Sequence, residues 1–311
     1  MNADGQMDFI AAIYEGVIFF VEGSKAGWKE PRRIKDSQGR NIVLSLYYDR
    51  EENEYKNVNR APKGQEDPGD HLVSAALFDW DDDGDLDLLL GAYGGNLYRQ
   101  MNEGKAGQPK FTGINLPLTA GNAPFNIPGG LTAPRLVDWN SDGLTDLVCG
   151  GFKGGAYLYL NNGKKGAPSF GPPTTLIAKP ASSEQGPNTP TKGLYVDPVD
   201  YDGDGDLDLI VGAYATPRQV EQTLTSKQKE RLAGFLTARD SLMKEMDAAY
   251  EQIEKRLASL PKAERNARAS EIVSSEPFAS KRKRMTALFN KINKLQPRAR
   301  TVSGIWLYRR K

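Results

Sequence analysis

Asp79-Trp80-Asp81-Asp82-Asp83-Gly84-Asp85-Leu86-Asp87, followed by Leu88-Leu89-Leu90-Gly91-Ala92-Tyr93, has two close counterparts further along the chain. The stretch from Asp138 to Asp146 precedes Leu147-Val148-Cys149-Gly150-Gly151-Phe152. The stretch from Asp200 to Asp208 precedes Leu209-Ile210-Val211-Gly212-Ala213-Tyr214. The three acidic stretches begin 59 and 62 residues apart. A fourth, partial copy opens the chain: Asn2, Asp4, Gly5 and Asp8 fill positions three, five, six and nine, and position one would fall before Met1. A motif recurring at such spacing makes each interval one structural unit of an array, and this has to be settled before any local structure is read.

Each unit reads as four short strands separated by turn signals. In the second copy the strands are expected over 72–78, 86–92, 96–101 and 109–114, with Asn102-Glu103-Gly104 supplying the turn before the last; Asn162-Gly163 plays that part in the third. Four strands per unit, repeated, is the pattern of propeller blades. A sandwich of unrelated hairpins would not need the same loop at the same phase. The expected fold is therefore mainly β: a β-propeller, partial, with about four blades visible. The first unit carries extra polar sequence from Lys35 to Asp70, including a hairpin around Asp49-Arg50-Glu51-Glu52-Asn53.

The repeated string is D-x-[DN]-x-D-G-x-x-D. Oxygen donors at alternate positions of a tight loop converge on one point, and Ca²⁺ takes six to eight such oxygens. The candidate ligands are Asp79, Asp81, Asp83, Asp85 and Asp87 in the second unit. In the third they are Asp138, Asn140, Asp142, Leu144 and Asp146, and in the fourth Asp200, Asp202, Asp204, Asp206 and Asp208. Asp85, Leu144 and Asp206 would contribute their position-seven carbonyls, by analogy with the EF-hand loop. Glycine at position six allows the sharp turn. Carboxylates gathered this closely repel one another unless a cation lies between them, which argues against plain solvated turns. Three calcium sites are expected, with a fourth, incomplete one at Asn2, Asp4 and Asp8. Mg²⁺ fits less well because it demands strict octahedral geometry.

These loops, with Leu90-Gly91-Ala92-Tyr93, Gly150-Gly151-Phe152 and Val211-Gly212-Ala213-Tyr214, resemble the FG-GAP and VCBS repeat families of integrin α-subunit propellers and bacterial surface proteins. The resemblance covers most of Met1–Tyr214 together with Ser303–Arg309. It implies a propeller with structural calcium in an extracellular, cell-surface or periplasmic protein. Such propellers commonly have seven blades, so ring closure stays open. A start inside a metal loop reads as N-terminal truncation, with any signal peptide in the part lost.

After Tyr214 the repeat gives way to helical spacing: Leu232, Leu236, Met243, Met246, Tyr250, Ile253, Leu257 and Leu260, interrupted by Arg239. Pro261 suits a second helix start. Ser275-Glu276-Pro277 opens another, leading to Met285, Leu288, Phe289, Ile292 and Leu295. Gly304-Ile305-Trp306-Leu307-Tyr308 then resembles Gly155-Ala156-Tyr157-Leu158-Tyr159. The helices thus interrupt the last blade, giving blades over 1–215, an α-helical, coiled-coil-like hairpin inserted over 216–302, and a returning strand over 303–311. Strand alternation puts the acidic loops at one end of each blade. The insertion, the 35–70 connection, and Tyr14, Tyr93, Phe152 and Tyr214 fall at the other. Those four aromatics either pack blade on blade or form a ligand-contacting ring. Trp80, Trp139 and Tyr201, inside the loops, are expected to pack.

The formal net charge of +1 conceals an asymmetry, with 22 Lys/Arg against 10 Asp/Glu from Pro217 onward and 19 against 30 before it. Lys281-Arg282-Lys283-Arg284 reads as a solvated helix face rather than a nucleic-acid patch. No apolar run is long enough to span a membrane. Cys149, the only cysteine, sits in an apolar strand as a core thiol, and His71 is the only histidine. No cluster of acid and base groups stands out, so a non-catalytic binding or adhesion module for a protein or polysaccharide is favoured. A polysaccharide lyase of propeller type is the runner-up. The third reading is a scaffold that self-associates through the helices.

Overall fold

The computed structural model describes residues 4–65, 69–105, 107–130, 133–180, 189–215, 224–258, 268, 275, 278–297 and 301–310. The chain divides into two units: Met1–Pro217 with Thr301–Lys311, and Arg218–Arg300.

The first unit is a series of small antiparallel sheets. In the first sheet β1 (Phe9–Ala12) pairs with β2 (Ile18–Val21). A two-residue hairpin, β3 (Gly23–Ser24) and β4 (Gly27–Trp28), precedes the sheet's third strand, β5 (Arg32–Arg33). The 35–70 connection carries the expected hairpin as β6 (Leu46–Asp49) and β7 (Glu54–Asn57), with Asn53 in the left-handed region.

The second sheet is β8 (Leu72–Phe78), β9 (Asp87–Ala92), β10 (Leu97–Gln100) and β11 (Leu116–Pro117). A short pair, β12 (Thr119–Ala120) and β13 (Ala123–Pro124), follows. The third sheet is β14 (Ala133–Val137), β15 (Asp146–Gly150), β16 (Ala156–Tyr159) and β17 (Thr174–Ile177). The last is β18 (Lys192–Val199), β19 (Asp208–Ala215) and β20 (Val302–Tyr308). The protein is mainly β, with the blade-like sheets expected of a β-propeller fold.

One strand differs from expectation. The fourth strand of the second sheet is β11, not residues 109–114. Phe111 only bridges to Asn102, its ring is buried in a core, and Gly113 turns the chain at φ 74°. The strand therefore starts later, at Leu116.

The central strands explain why their sequences are continuously apolar. Successive side chains on a strand point to opposite faces, so a strand buried on both sides shows no alternation. Leu88 and Leu90 enter a core shared with Ile18, Phe20 and Leu72, whereas Leu89 joins Leu147, Cys149 and Phe125 in the next. Val148, on the other face of β15, packs with Leu194, Val196 and Val211. Each such leucine or valine contributes roughly 1.5–3 kcal/mol on burial. Gly150 lets the third and fourth sheets approach, because a Cβ there would lie 2.0 Å from the Leu194 carbonyl oxygen. Burial pushes the Cys149 thiol pKa up, as suits an inert core residue.

The second unit is an antiparallel helical pair, α1 (Ser226–Ala258) and α2 (Phe278–Leu295). Tyr250 meets the ring of Phe278 edge-on at 4.8 Å, and Lys291 lies over Phe235 at 5.5 Å. Leu242, rather than Met243, fills the buried seam, and Met243 is exposed. The shift puts Arg239 on the stripe, half-buried, three residues before Leu242. The expected Leu260, Pro261, Glu276 and Pro277 fall outside the described residues. Arg282, Lys283 and Arg284 are exposed, and no described helix is long and apolar enough to cross a membrane.

Candidate metal centres and the opposite face

Each complete acidic loop is folded by its own aspartates. At position one, Asp79 accepts hydrogen bonds from the backbone N–H of Asp83 and Gly84 at 3.2 and 3.1 Å. Asp138 accepts from Asp142 and Gly143 at 3.1 and 2.9 Å, and Asp200 from Gly203 and Gly205 at 2.7 and 3.1 Å. The position-five carboxylates of Asp83, Asp142 and Asp204 accept from the amides of Asp85, Leu144 and Asp206 at 2.8–2.9 Å. In the first copy Asp4 accepts from Gln6 in the same way, at 2.8 Å. Position four is left-handed in all three complete loops, at Asp82, Ser141 and Gly203, as is the glycine at position six. Aspartate and glycine tolerate that conformation best.

This turn draws the alternate carboxylates together. One oxygen each from Asp79, Asp81 and Asp83 lie within 4.8 Å of one another, and the same holds for Asp200, Asp202 and Asp204. The third loop differs: the Asn140 Nδ2 donates to Asp142 Oδ2 at 2.9 Å, so the amide turns its nitrogen toward its neighbour. Asn2 lies outside the described residues.

Position nine plays another part. Asp87 is buried and accepts from the Trp80 N–H at 2.9 Å and the Asn102 N–H at 2.7 Å. Asp146 repeats this with Trp139 and Asn161, at 3.0 and 2.7 Å. Asp8 accepts from Gly23, and Asp208 from Arg310 at 2.8 Å. These carboxylates clip the acidic loop to the chain leaving the third strand, or entering that region in the first sheet. Asn102 and Asn161 extend the clip: each donates to the chain just before position nine (Leu86 O, Thr145 O) and accepts two amides of its own loop. Burial raises the Asp87 and Asp146 carboxyl pKa values, while the backbone hydrogen bonds oppose that rise.

The donor set suits a hard divalent cation. Buried Asp85 Oδ1 and Asp208 Oδ2 have no hydrogen-bond partner among the described residues. Burial, then the charges of Asp83, Asp81 and Asp79, raise the Asp85 pKa, a stress that a cation among these groups would relieve. Leu144 is half-buried and Asp206 exposed. Protein cations also stand beside the loops: Lys165 on Asp82 at 2.8 Å, Arg309 near Asp202 at 3.5 Å and Arg310 near Asp206 at 3.7 Å.

Sequence reasoning missed the Asn102 and Asn161 clips and these cations. A signal for the clips was present, since each asparagine follows its position-nine aspartate by 15 residues. Trp80 and Trp139 are buried beneath the Arg99 and Arg310 guanidinium groups, as packing requires, but Tyr201 is 57% exposed. Trp80 meets Phe170 of the following unit at 6.1 Å, and no described sheet follows the last one to receive Tyr201.

The aromatics fall at the other end of the same strands. β9 runs from Asp87 to Ala92, about 20 Å at the usual rise, and Tyr93 follows it. Tyr14, Tyr93, Phe152 and Tyr214 are 82%, 57%, 42% and 46% exposed, and Phe152 lies beside Leu194 and Tyr195 of the last sheet. His71 lies beside Tyr14, and its two ring nitrogens face the Leu46 and Tyr14 carbonyl oxygens at 2.9 and 2.8 Å. With both nitrogens occupied by backbone, this ring ties the 35–70 connection to the first sheet.

Residues 138–211 match the family described as FG-GAP-like repeat. No curated protein matches the chain.

Proposed function

We propose that this chain, whose residues 138–211 match the FG-GAP-like repeat family, is a calcium-stabilised, non-catalytic binding or adhesion module acting outside the cytoplasm. The ligand, a protein or polysaccharide, is engaged on the face opposite the acidic loops. The observation that carries this reading is the pairing, on the second, third and fourth sheets, of a folded oxygen-donor loop at one end with an exposed aromatic at the other. FG-GAP repeats are in general binding modules rather than enzymes. Asp79, Asp81 and Asp83, and their equivalents at Asp200, Asp202 and Asp204, would hold the ion. Once bound, Ca²⁺ supplies positive charge that cancels carboxylate repulsion and stiffens the loop. The position-nine clips pass that stiffness to the sheet through Asn102 and Asn161. His71, whose ring nitrogens face the Leu46 and Tyr14 carbonyl oxygens, is a structural group in this reading.

The test is differential scanning calorimetry in chelator and in millimolar Ca²⁺. A ligand at a hundred times its Kd stabilises a one-site protein by about 2.7 kcal/mol, so the melting temperature should rise by several degrees. An identical transition in both buffers would remove the structural-metal claim. Release of unsaturated sugars from a polysaccharide panel would replace the binding reading with the lyase.

A further inference from the structure

The 35–70 connection and β5 enclose a second feature that the metal loops do not explain. A cavity of about 470 Å³ is lined by Arg33, Lys35, Arg40 and Arg60, with Tyr47 and Glu51 at its wall. Four cationic side chains thus face one space against a single acidic side chain. Asp36 sits behind Arg40 at 2.7 Å and is buried, and Glu15 lies 3.8 Å from Arg33. These pairs hold two of the guanidinium groups in place from behind. Burial, then the like charge of Arg40, lower the Arg60 pKa, with Asp36 and Tyr47 opposing. The protein therefore concentrates positive charge here at a cost, as a site for an anion would.

Arg forks suit carboxylate or sulfate groups.

We propose that the 35–70 connection forms a binding site for an anionic saccharide, whose carboxylate or sulfate groups are held by Arg33, Lys35, Arg40 and Arg60. This rests on the binding reading above for its biological sense and adds the chemical class of the ligand.

The experiment is isothermal titration of the full-length, Ca²⁺-loaded protein with four probes: oligogalacturonate, heparin oligosaccharide, neutral maltohexaose and polyglutamate. Binding of either anionic oligosaccharide, weakening as salt rises, is expected, and which one binds separates carboxylate from sulfate. Lys35→Glu with Arg33→Gln should weaken that binding at least about tenfold. Should the double variant lose its thermal transition, Lys35→Glu alone, on an exposed side chain, provides the same comparison. Lys283→Glu with Arg284→Glu on α2 should leave the affinity within about twofold, since exposed charges screened by salt act only locally.

Equal loss in the α2 variant would overturn the assignment in favour of the basic helical unit. Equal affinity for polyglutamate would overturn the saccharide, and equal affinity for maltohexaose would overturn the role of charge. No binding of either anionic sugar would overturn the site itself. Retained capture of a neutral glycan or protein in that case would leave the general binding reading standing.

Discussion

Asp87 and Asp81 belong to the same sequence pattern but do different work. Asp81 is exposed and its carboxylate has Asp79 and Asp83 for neighbours, so its contribution depends on a cation. Asp87 is buried and already spans two backbone amides, so its contribution needs no metal. Removing it would strand the Trp80 and Asn102 N–H groups in the interior, a loss of about 3 kcal/mol. In chelator, Asp87→Ala should therefore unfold at clearly lower denaturant while Asp81→Ala behaves as wild type. In Ca²⁺, Asp81→Ala should lose most of the metal-dependent gain. Urea titrations in the two buffers give all four values, and equal effects of both variants in chelator would refute the division of labour. The alternation of acids was legible in the sequence because donors at every second position have few other uses. The clip was harder to read, because its bonds go to backbone amides, which leave no mark in side-chain identity; only the asparagine recurring 15 residues after position nine signals it.

The three acidic loops share one fold, and their side chains tune it. Asn140 substitutes a neutral amide for the position-three carboxylate and turns its nitrogen toward Asp142. A ligand set with one fewer charge binds Ca²⁺ more weakly, so the third loop should fill last as calcium is raised. Asn140→Asp should raise that loop's affinity about tenfold, measured by calcium titration under competition with a chromophoric chelator. An unchanged isotherm would mean that the third loop does not take part. The blade strands were legible from their apolar runs, and the hairpin from Asp49 to Asn53 from its turn residues. The late start of β11 was not, since it depends on Phe111 finding a core contributed by the first sheet. On α1 the periodicity marked a helix correctly, but Leu242 and Met243 are equally apolar, and only the facing helix decides between them.

Across the whole chain, the same motif position can be buried or exposed according to which sheet lies beside it. Ala156 and Leu158 on β16 are buried between the third and fourth sheets, whereas Ile305 and Leu307, their counterparts on β20, are 79% and 39% exposed. Phe9 of the first sheet, with Met7 just before it and Trp28 of the β3–β4 hairpin, is likewise exposed. The repeat pattern specifies a blade but not its neighbours, which is why sequence alone left the number of blades open. The inserted helices pose a related question, which the register of the last sheet makes testable. Ala215 and Val302 are paired Cα partners across β19 and β20, so the two ends of the insertion leave the sheet side by side. A two-residue Asn-Gly turn in place of residues 216–301 matches the twist of such a hairpin. It also shortens the loop, and loop-closure entropy then favours the folded state by about 1–3 kcal/mol. We propose that the blade unit is independent of the helices. The excised chain should melt cooperatively, no lower than the full chain, and keep its Ca²⁺-dependent shift. A molten product, or one that no longer responds to calcium, would mean that the helices belong to the folding unit of the sheets.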